Sequence, residues 1–228
     1  MRHSPSRSRP EFAASLARRA EGVRVFVALD IPEEVRAAIA AVMDKLRPTC
    51  RAARWVRTEG MHVTLKFIGE VPPEKIEPIQ ASLSQIHFAN FPGASSTVSP
   101  PNGIELRFRA LGFFPNERRP RVLWAGIEAG PELGALAAAV ETALEPLGIA
   151  REQRSYSPHL TLARFDTARH KPAASAFDCL RETISQAGPL AFGSSTASEF
   201  HLYQSILKRG GAEYTRLATF RFAGGETR

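Results

Sequence analysis

The sequence is poor in the residues that stabilise small secreted folds or bind zinc. It has two cysteines, Cys50 and Cys179, in 228 residues, and neither lies in a CxxC pair or near a histidine at zinc-ligand spacing. A disulfide framework and a cysteine-based zinc site are therefore excluded, and a reduced protein in the cytoplasm is expected.

Long apolar runs and the common nucleotide and hydrolase motifs are also missing. No stretch approaches the roughly 18 apolar residues of a membrane span, and the apolar run that begins at Phe12 is too short for a secretory signal. A glycine-rich phosphate loop and a GxSxG turn are absent as well. These absences argue against a membrane partner, a P-loop enzyme and a serine hydrolase.

What is present is a basic chain that is long enough to bury a core. The formal net charge is +7 and 43% of the residues are hydrophobic, which suits a polyanionic ligand. The opening "MRHSPSRSRPEF" is rich in Arg, Ser and Pro. We therefore predict a disordered extension over residues 1–22 and one domain over 23–228.

A short pattern occurs twice along the chain. "MHVTLKFIG" begins at Met61 and "PHLTLARF" begins at Pro158, so that His62 and His159 are 97 residues apart. The same spacing relates an upstream block, Arg24, Val25 and Ala28, to Arg121, Val122 and Ala125. Two matching blocks at one spacing predict an internal duplication.

The spacing of apolar residues predicts similar helices and strands in both halves of the chain. Apolar residues recur at helical spacing after Asp30, which we expect to cap a helix with Glu33, and again from Leu133 to Leu147. A helix is expected after each histidine strand, and each half is expected to close with a hairpin. The predicted fold is α+β: two pseudo-symmetric lobes, each an antiparallel sheet backed by helices, with the active-site cleft between them.

Strand alternation predicts which side chains face the cleft. His62 and Thr64 share one face, and Val63, Leu65 and Phe67 share the other, apolar face that packs on helices. By the same alternation His159 and Thr161 face the cleft in the second half. Lys66 has the same parity as His62 and is expected to reach solvent at the cleft mouth.

Two facing histidine and threonine pairs suit phosphoryl transfer. One imidazole can accept a proton from a nucleophile while the other donates a proton to a leaving oxygen. The hydroxyls of Thr64 and Thr161 can donate to phosphate oxygens. Zinc is disfavoured because the positions two residues after each histidine hold threonine rather than a ligand, so no metal or cofactor is expected.

The two copies differ at Arg164, which replaces Phe67 of the first half. An arginine at the edge of a phosphate pocket can bind oxygens bidentately. Strict alternation places Arg164 on the core side, so a substrate-binding role requires the strand to end or bulge there. Phe26 and Trp124 are expected in the core, and His3, His87, His170 and His201 at the surface.

The repeated H-x-T-x motifs resemble those of the two-histidine (2H) phosphoesterases, and most of all the RNA 2′,3′-cyclic phosphodiesterases, also called 2′-5′ RNA ligases. The likeness extends through "RVFVALDIPEEVR", "RWVRTEGMHVTLKFIGEV", "RRPRVLWAGIE", "YSPHLTLARF" and "FHLYQSIL", about residues 23 to 222. The resemblance implies a bilobal hydrolase that opens a terminal 2′,3′-cyclic phosphate of RNA to a 2′-phosphomonoester without metal or ATP, with weak reverse 2′-5′ ligation.

The resemblance also implies roles for individual residues. His159 corresponds to the proton acceptor and His62 to the proton donor, although the near symmetry of the site allows the exchange of these labels. Thr64, Thr161 and Arg164 correspond to substrate-binding positions. The expected partners are RNA with a 2′,3′-cyclic phosphate end or a cyclic nucleotide, and a monomer is expected. Two alternatives stay open: a non-catalytic nucleotide or RNA-end binding module, and an enzyme for a small cyclic nucleotide metabolite.

Overall fold

The computed structural model describes residues 22–50, 53–87, 103–165, 174–208 and 211–222. The predicted extension over residues 1–22 therefore lies outside the described residues except for Gly22. The division into an extension and a single duplicated domain stays a prediction.

Helices and strands alternate along the chain in the expected order. Their bounds are β1 Val23–Leu29, α1 Glu33–Leu46, β2 Arg54–Trp55, β3 Val63–Val71, α2 Ile76–Leu83, β4 Ile104–Phe114, β5 Val122–Ala129, α3 Pro131–Leu144, β6 His159–Arg164, α4 Ala174–Gln186, β7 Ala191–Ala197, β8 Glu199–Lys208 and β9 Gly211–Arg221.

The strands form two antiparallel sheets, as the sequence predicts for an α+β fold. The first sheet has the order β3-β1-β8-β9 and the second has the order β2-β6-β5-β4-β7. The hairpins, however, do not close the halves in which they were expected. Strand β4 pairs with β5 in the second sheet, whereas the C-terminal hairpin β8–β9 returns to pair with β1. Each sheet therefore combines strands that are distant in sequence.

The helices also cross between the sheets. Helix α1 follows β1 of the first sheet but packs against β7 of the second, and α3 follows β5 of the second sheet but packs against β3 of the first. Their buried faces are Val35, Ile39, Met43 and Leu46 in α1 and Leu133, Leu136, Val140 and Leu144 in α3. Two positions differ from the expected apolar pattern, because Met43 is buried in place of Val42 and Leu147, beyond the end of α3, is only partly buried. Burial of these apolar faces on the opposite sheets holds the two sheets together.

The start of α1 differs from the prediction. The N-cap residue is Pro32 and no side chain caps the helix, so Asp30 and Glu33 do not form the expected capping pair. Asp30 instead accepts a hydrogen bond from the hydroxyl of Tyr203 on β8, at 2.5 Å. Its carboxylate is thus used between strands rather than at a helix end.

The strand register corrects one part of the apparent repeat. Phe26 on β1 is the Cα partner of Phe67 on β3, and Val122 on β5 is the Cα partner of Arg164 on β6. Phe67 and Arg164 are 97 residues apart, but their partners are 96 apart. Structurally equivalent residues of β1 and β5 are therefore 96 residues apart, whereas the sequence match of the upstream block uses a spacing of 97. The difference arises because the connection from β5 to its histidine strand is one residue longer than the connection from β1.

Both histidine strands carry a β-bulge at the same position of the motif. The pairing skips Leu65 in β3 and Leu162 in β6, two residues that are 97 apart. A bulge inserts one unpaired residue and reverses the alternation beyond it. Phe67 is consequently 54% exposed instead of core-facing. Arg164 is exposed as well, so the condition for a substrate-binding role is met.

The same reversal buries Lys66, which the sequence places at the cleft mouth. This lysine is 4% exposed and its Nζ donates to Oε2 of Glu141 at 2.5 Å and to the carbonyl oxygen of Ala150 at 2.8 Å. Lys66 therefore ties β3 to α3 and to the segment after it, and it does not take part in the cleft.

Candidate active site

Both motif histidines are fixed in the same way by the backbone. Nδ1 of His62 lies 2.8 Å from the carbonyl oxygen of Gly60, and Nδ1 of His159 lies 2.7 Å from the carbonyl oxygen of Ser157. A carbonyl oxygen only accepts hydrogen bonds, so Nδ1 carries the proton in each ring. Nε2 is then the atom that each ring offers to a substrate, as a base when neutral and as an acid when protonated.

The turn that holds His62 is itself anchored by an arginine. Residues Thr58–Gly60 form a short 3₁₀ turn, and Arg36 of α1 donates to the carbonyl oxygens of Thr58 and Glu59, each at 2.9 Å. Arg36 fixes the carbonyl of Gly60 through this turn and so acts as a positioning residue for His62. No sequence pattern predicts this role, because an arginine on an amphipathic helix is usually a solvated residue.

Aromatic rings pack on both histidines. Phe26 stacks on His62 with ring centroids 4.4 Å apart, and Tyr214 contacts the same ring edge-on at 5.1 Å. Phe114 contacts His159 edge-on at 4.9 Å. Phe26 is buried as predicted, but it also forms part of the site. This packing removes water from both imidazoles.

Burial is the main influence on the titration of both rings. Desolvation lowers the pKa of His62 and of His159 below the ordinary value of 6.5, while the bonded backbone carbonyls oppose the shift. The charge of Asp30 raises the pKa of His62, and the charge of Arg164 lowers the pKa of both rings. Strands β3 and β6, which begin at the two motifs, contact each other, so the charge of Arg164 acts on both imidazoles.

Contacts between the first and second halves of the chain bring the two motifs together. The hydroxyl of Tyr156, just before β6, donates to the carbonyl oxygen of Thr64 on β3 at 3.2 Å. In the other direction, the amide of Val56 donates to the carbonyl oxygen of Leu162, the bulged residue of β6, at 2.9 Å. Each half therefore holds the motif strand of the other.

The two threonines are available to a ligand. Thr64 and Thr161 are half-buried, and no hydrogen bond joins either hydroxyl to another described residue. Together with His62, His159 and Arg164 they make up what we call the two-histidine site. That these five residues form one substrate site, and the role of each in it, stay predictions.

A polar network beside His62 was missed by sequence reasoning. Asp30 forms an ion pair with Arg216 in addition to the hydrogen bond from Tyr203, and Nε2 of His201 lies 3.6 Å from Asp30. Burial and the bond to Asp30 raise the pKa of Tyr203 to about 12. His201 is 1% exposed, which corrects the expectation of a surface residue. Its partners lie on different strands, so only the tertiary fold reveals them.

The remaining sequence-based expectations have mixed outcomes. His87 is exposed as predicted, and His3 and His170 lie outside the described residues. Trp124 is half-buried rather than core, and its Nε1 is buried without a partner among the described atoms.

Within the ranges that the structure describes, no group of three or more His, Cys, Asp or Glu side chains could hold a metal ion. In the same ranges, no helix has the length and apolar character of a membrane span.

The fold is that of a two-sheet α+β protein in which β3 and β6, one strand from each sheet, begin at the repeated histidine motifs and contact each other. The sequence model of the 2′-5′ RNA ligase superfamily matches residues 31–205. A protein of Archaeoglobus fulgidus named RNA 2′,3′-cyclic phosphodiesterase is 32% identical over 198 residues, which cover 87% of this chain and 99% of the relative. One of Aeropyrum pernix with the same name is 34% identical over 180 residues, 78% of this chain and 92% of the relative.

Solved structures with a similar fold include proteins related in sequence to this chain. Escherichia coli LigT complexed with 3′-AMP superposes with a TM-score of 0.64 at 27% identity, covering 88% of this chain and 98% of that one. A Thermus thermophilus protein superposes with a TM-score of 0.64 at 29% identity, covering 89% and 100%. The chain belongs to the 2′-5′ RNA ligase superfamily.

Proposed function

We propose that this protein hydrolyses the 2′,3′-cyclic phosphate end of RNA to a 2′-phosphomonoester, with His62 and His159 as acid and base and without a metal ion. The observation that carries the proposal is the matched state of the two rings. Each has Nδ1 bonded to the carbonyl two residues before it, each leaves Nε2 to a ligand, and Arg164 acts on both.

The proton transfers follow from this geometry. Nε2 of His159 accepts a proton from a water molecule as the water oxygen attacks phosphorus. The bond from phosphorus to the 3′ oxygen breaks, and Nε2–H of His62 donates its proton to that oxygen. The products are a 2′-phosphomonoester and a 3′ hydroxyl, and the proton returns from His159 to His62 through solvent before the next turnover. The assignment of acid and base rests on the family resemblance.

The other site residues stabilise the phosphate during attack. Thr64 and Thr161 donate hydroxyl hydrogen bonds to the non-bridging oxygens, on which negative charge accumulates. Arg164 adds a fixed positive charge on the same side. If a 5′ hydroxyl replaces water as the nucleophile, His159 accepts its proton, the bond from phosphorus to the 3′ oxygen breaks with a proton from His62, and the product is a 2′-5′ linkage, which we propose as a minor activity.

Several features support an enzyme acting on RNA ends rather than a binding module. Binding alone does not require two titrating groups with matched tautomers, and the relatives from Archaeoglobus fulgidus and Aeropyrum pernix are named for cyclic phosphodiester hydrolysis. We also propose that the protein acts as a monomer in the cytoplasm.

Hydrolysis in the presence of EDTA tests the proposed function. We expect full turnover of an oligonucleotide that ends in a 2′,3′-cyclic phosphate, because no step uses a metal ion. Phosphorus NMR of the product is expected to give only the 2′-phosphomonoester, since the 3′ oxygen is the leaving group. Loss of activity in EDTA, or a 3′-phosphomonoester as product, would refute the mechanism.

The pH dependence follows from the direction of the pKa shifts. A reaction that needs one neutral and one protonated imidazole has a bell-shaped profile, whose limbs report the two coupled groups. Both pKa values lie below 6.5 in the free protein, so kcat/KM is expected to peak on the acidic side of pH 6.5. The bound phosphate anion raises both values, so kcat is expected to peak at higher pH. A kcat/KM optimum above pH 7 would contradict the assignment of the two titrating groups to His62 and His159.

A further inference from the structure

Two arginines lie side by side on β2 and β6, at one edge of the second sheet. Arg54 of β2 is the direct Cα partner of Arg164 of β6, and the next pair is Trp55 with Ala163. Directly opposed residues of an antiparallel pair point to the same face. Ala163 is buried and Trp55 packs against the core, so Arg54 shares the opposite face with Arg164, the face of the two-histidine site.

This pairing places two positive charges next to each other with no carboxylate from the described part of the chain between them. Like charges directly opposite each other on paired strands destabilise a sheet, and both arginines are exposed with no carboxylate partner among the described residues. Two adjacent guanidinium groups without carboxylate partners can bind two anionic groups of one ligand.

We infer that Arg54 binds the internucleotide phosphate that precedes the cyclic phosphate end of an RNA chain. In the proposed mechanism Arg164 binds the reacting phosphate, and its charge lowers the pKa of both histidines. Arg54 lies on the neighbouring strand, about 4.8 Å further from the site and at the sheet edge beyond β6. Its guanidinium can therefore bind a different phosphate from the one that reacts.

This inference rests on the proposed function and refines its substrate class. A dinucleotide with a 2′,3′-cyclic phosphate end carries one internucleotide phosphate, whereas a nucleoside 2′,3′-cyclic monophosphate carries none. Contact with Arg54 therefore makes the protein selective for RNA ends over cyclic mononucleotides, with specificity that does not depend on base identity.

The experiment compares the two substrates in Arg54→Gln and in the wild-type protein. We expect kcat/KM for the dinucleotide to fall on the order of tenfold, with less than about a twofold change for the mononucleotide. The dependence of log kcat/KM on log salt concentration for the dinucleotide should lose about one unit of slope. Arg47→Gln, which removes the same charge from a solvated pair with Asp44, is the matched control and should change neither substrate.

Thermal unfolding separates binding from a structural role. Removal of one of two opposed like charges should leave the melting temperature of Arg54→Gln unchanged or raise it, whereas a structural arginine would lower it. An equal fall in kcat/KM for both substrates would indicate that Arg54 binds the reacting phosphate. An unchanged kcat/KM for both would indicate that Arg54 is a solvated charge at the sheet edge with no role in substrate binding. Each of these results overturns the inference.

A binding measurement keeps the inference independent of turnover. Calorimetry with the two products, the dinucleotide 2′-phosphate and the nucleoside 2′-phosphate, should show weaker binding of only the dinucleotide by Arg54→Gln. Absence of hydrolysis by the wild-type protein would reject the proposed function, and this difference in product affinity would still support or reject the contact at Arg54.

Discussion

Alanine at His62 or at His159 is expected to lower kcat for a 2′,3′-cyclic phosphate substrate by about 10³ to 10⁴ fold. Each variant loses one of the two proton transfers, and a positioned general acid or base contributes up to about 10⁴ fold. KM should change little, because Thr64, Thr161 and Arg164 still bind the phosphate. Steady-state kinetics at the optimum of the wild-type profile measures the effect.

Variants of other histidines provide the control. His87→Ala removes an exposed imidazole outside the site and should keep wild-type kcat and KM. The double variant of His62 and His159 should lose less than the product of the single losses, since groups that act as a unit are not additive. Wild-type kcat in either single variant would remove that residue from the mechanism.

Lys66→Met is expected to destabilise the fold by about 3 to 5 kcal/mol. The lysine bonds to Glu141 and to the carbonyl of Ala150 inside the structure, and its removal leaves a carboxylate that is 15% exposed without its cation. Breaking one side of a buried ion pair costs more than the pair contributes, because the remaining charge is not solvated. Urea unfolding of the variant and the wild type measures the difference.

A surface ion pair of the same chemistry gives the comparison. Lys208 and Glu213 also lie 2.5 Å apart, but their side chains are 56% and 48% exposed. Lys208→Met should therefore cost no more than about 1 kcal/mol. The double variant Lys66→Met, Glu141→Leu should recover most of the lost stability, because no charge then remains buried. Equal losses in Lys66→Met and Lys208→Met would contradict this account.

The histidine and threonine pairs could be predicted because their signal is local. A repeat of His, Thr and Leu at one spacing is visible in the sequence, and alternation over the first three residues places His62 with Thr64 and His159 with Thr161. The apolar faces of α1 and α3 could be predicted for the same reason, since helical spacing needs no knowledge of what the helix packs against.

The remaining features depend on pairing between distant segments. The bulges at Leu65 and Leu162 exist only relative to the neighbouring strands, and they account for the burial of Lys66 and the exposure of Arg164. The return of β8 and β9 to the first sheet is likewise a tertiary choice. Asp30 satisfies the local pattern of a helix cap, but the closer partners on β8 and β9 determine its contacts.

The most direct test of the account uses a substrate in which sulfur replaces the 3′ oxygen of the cyclic phosphate. A thiolate leaves without a proton because its pKa is near 8.5, far below that of an alcohol. If His62 is the acid and His159 the base, His62→Ala should recover most of its lost rate on this substrate and His159→Ala should not. Recovery in His159→Ala alone would exchange the two roles, and recovery in neither variant would contradict acid–base catalysis by the two histidines.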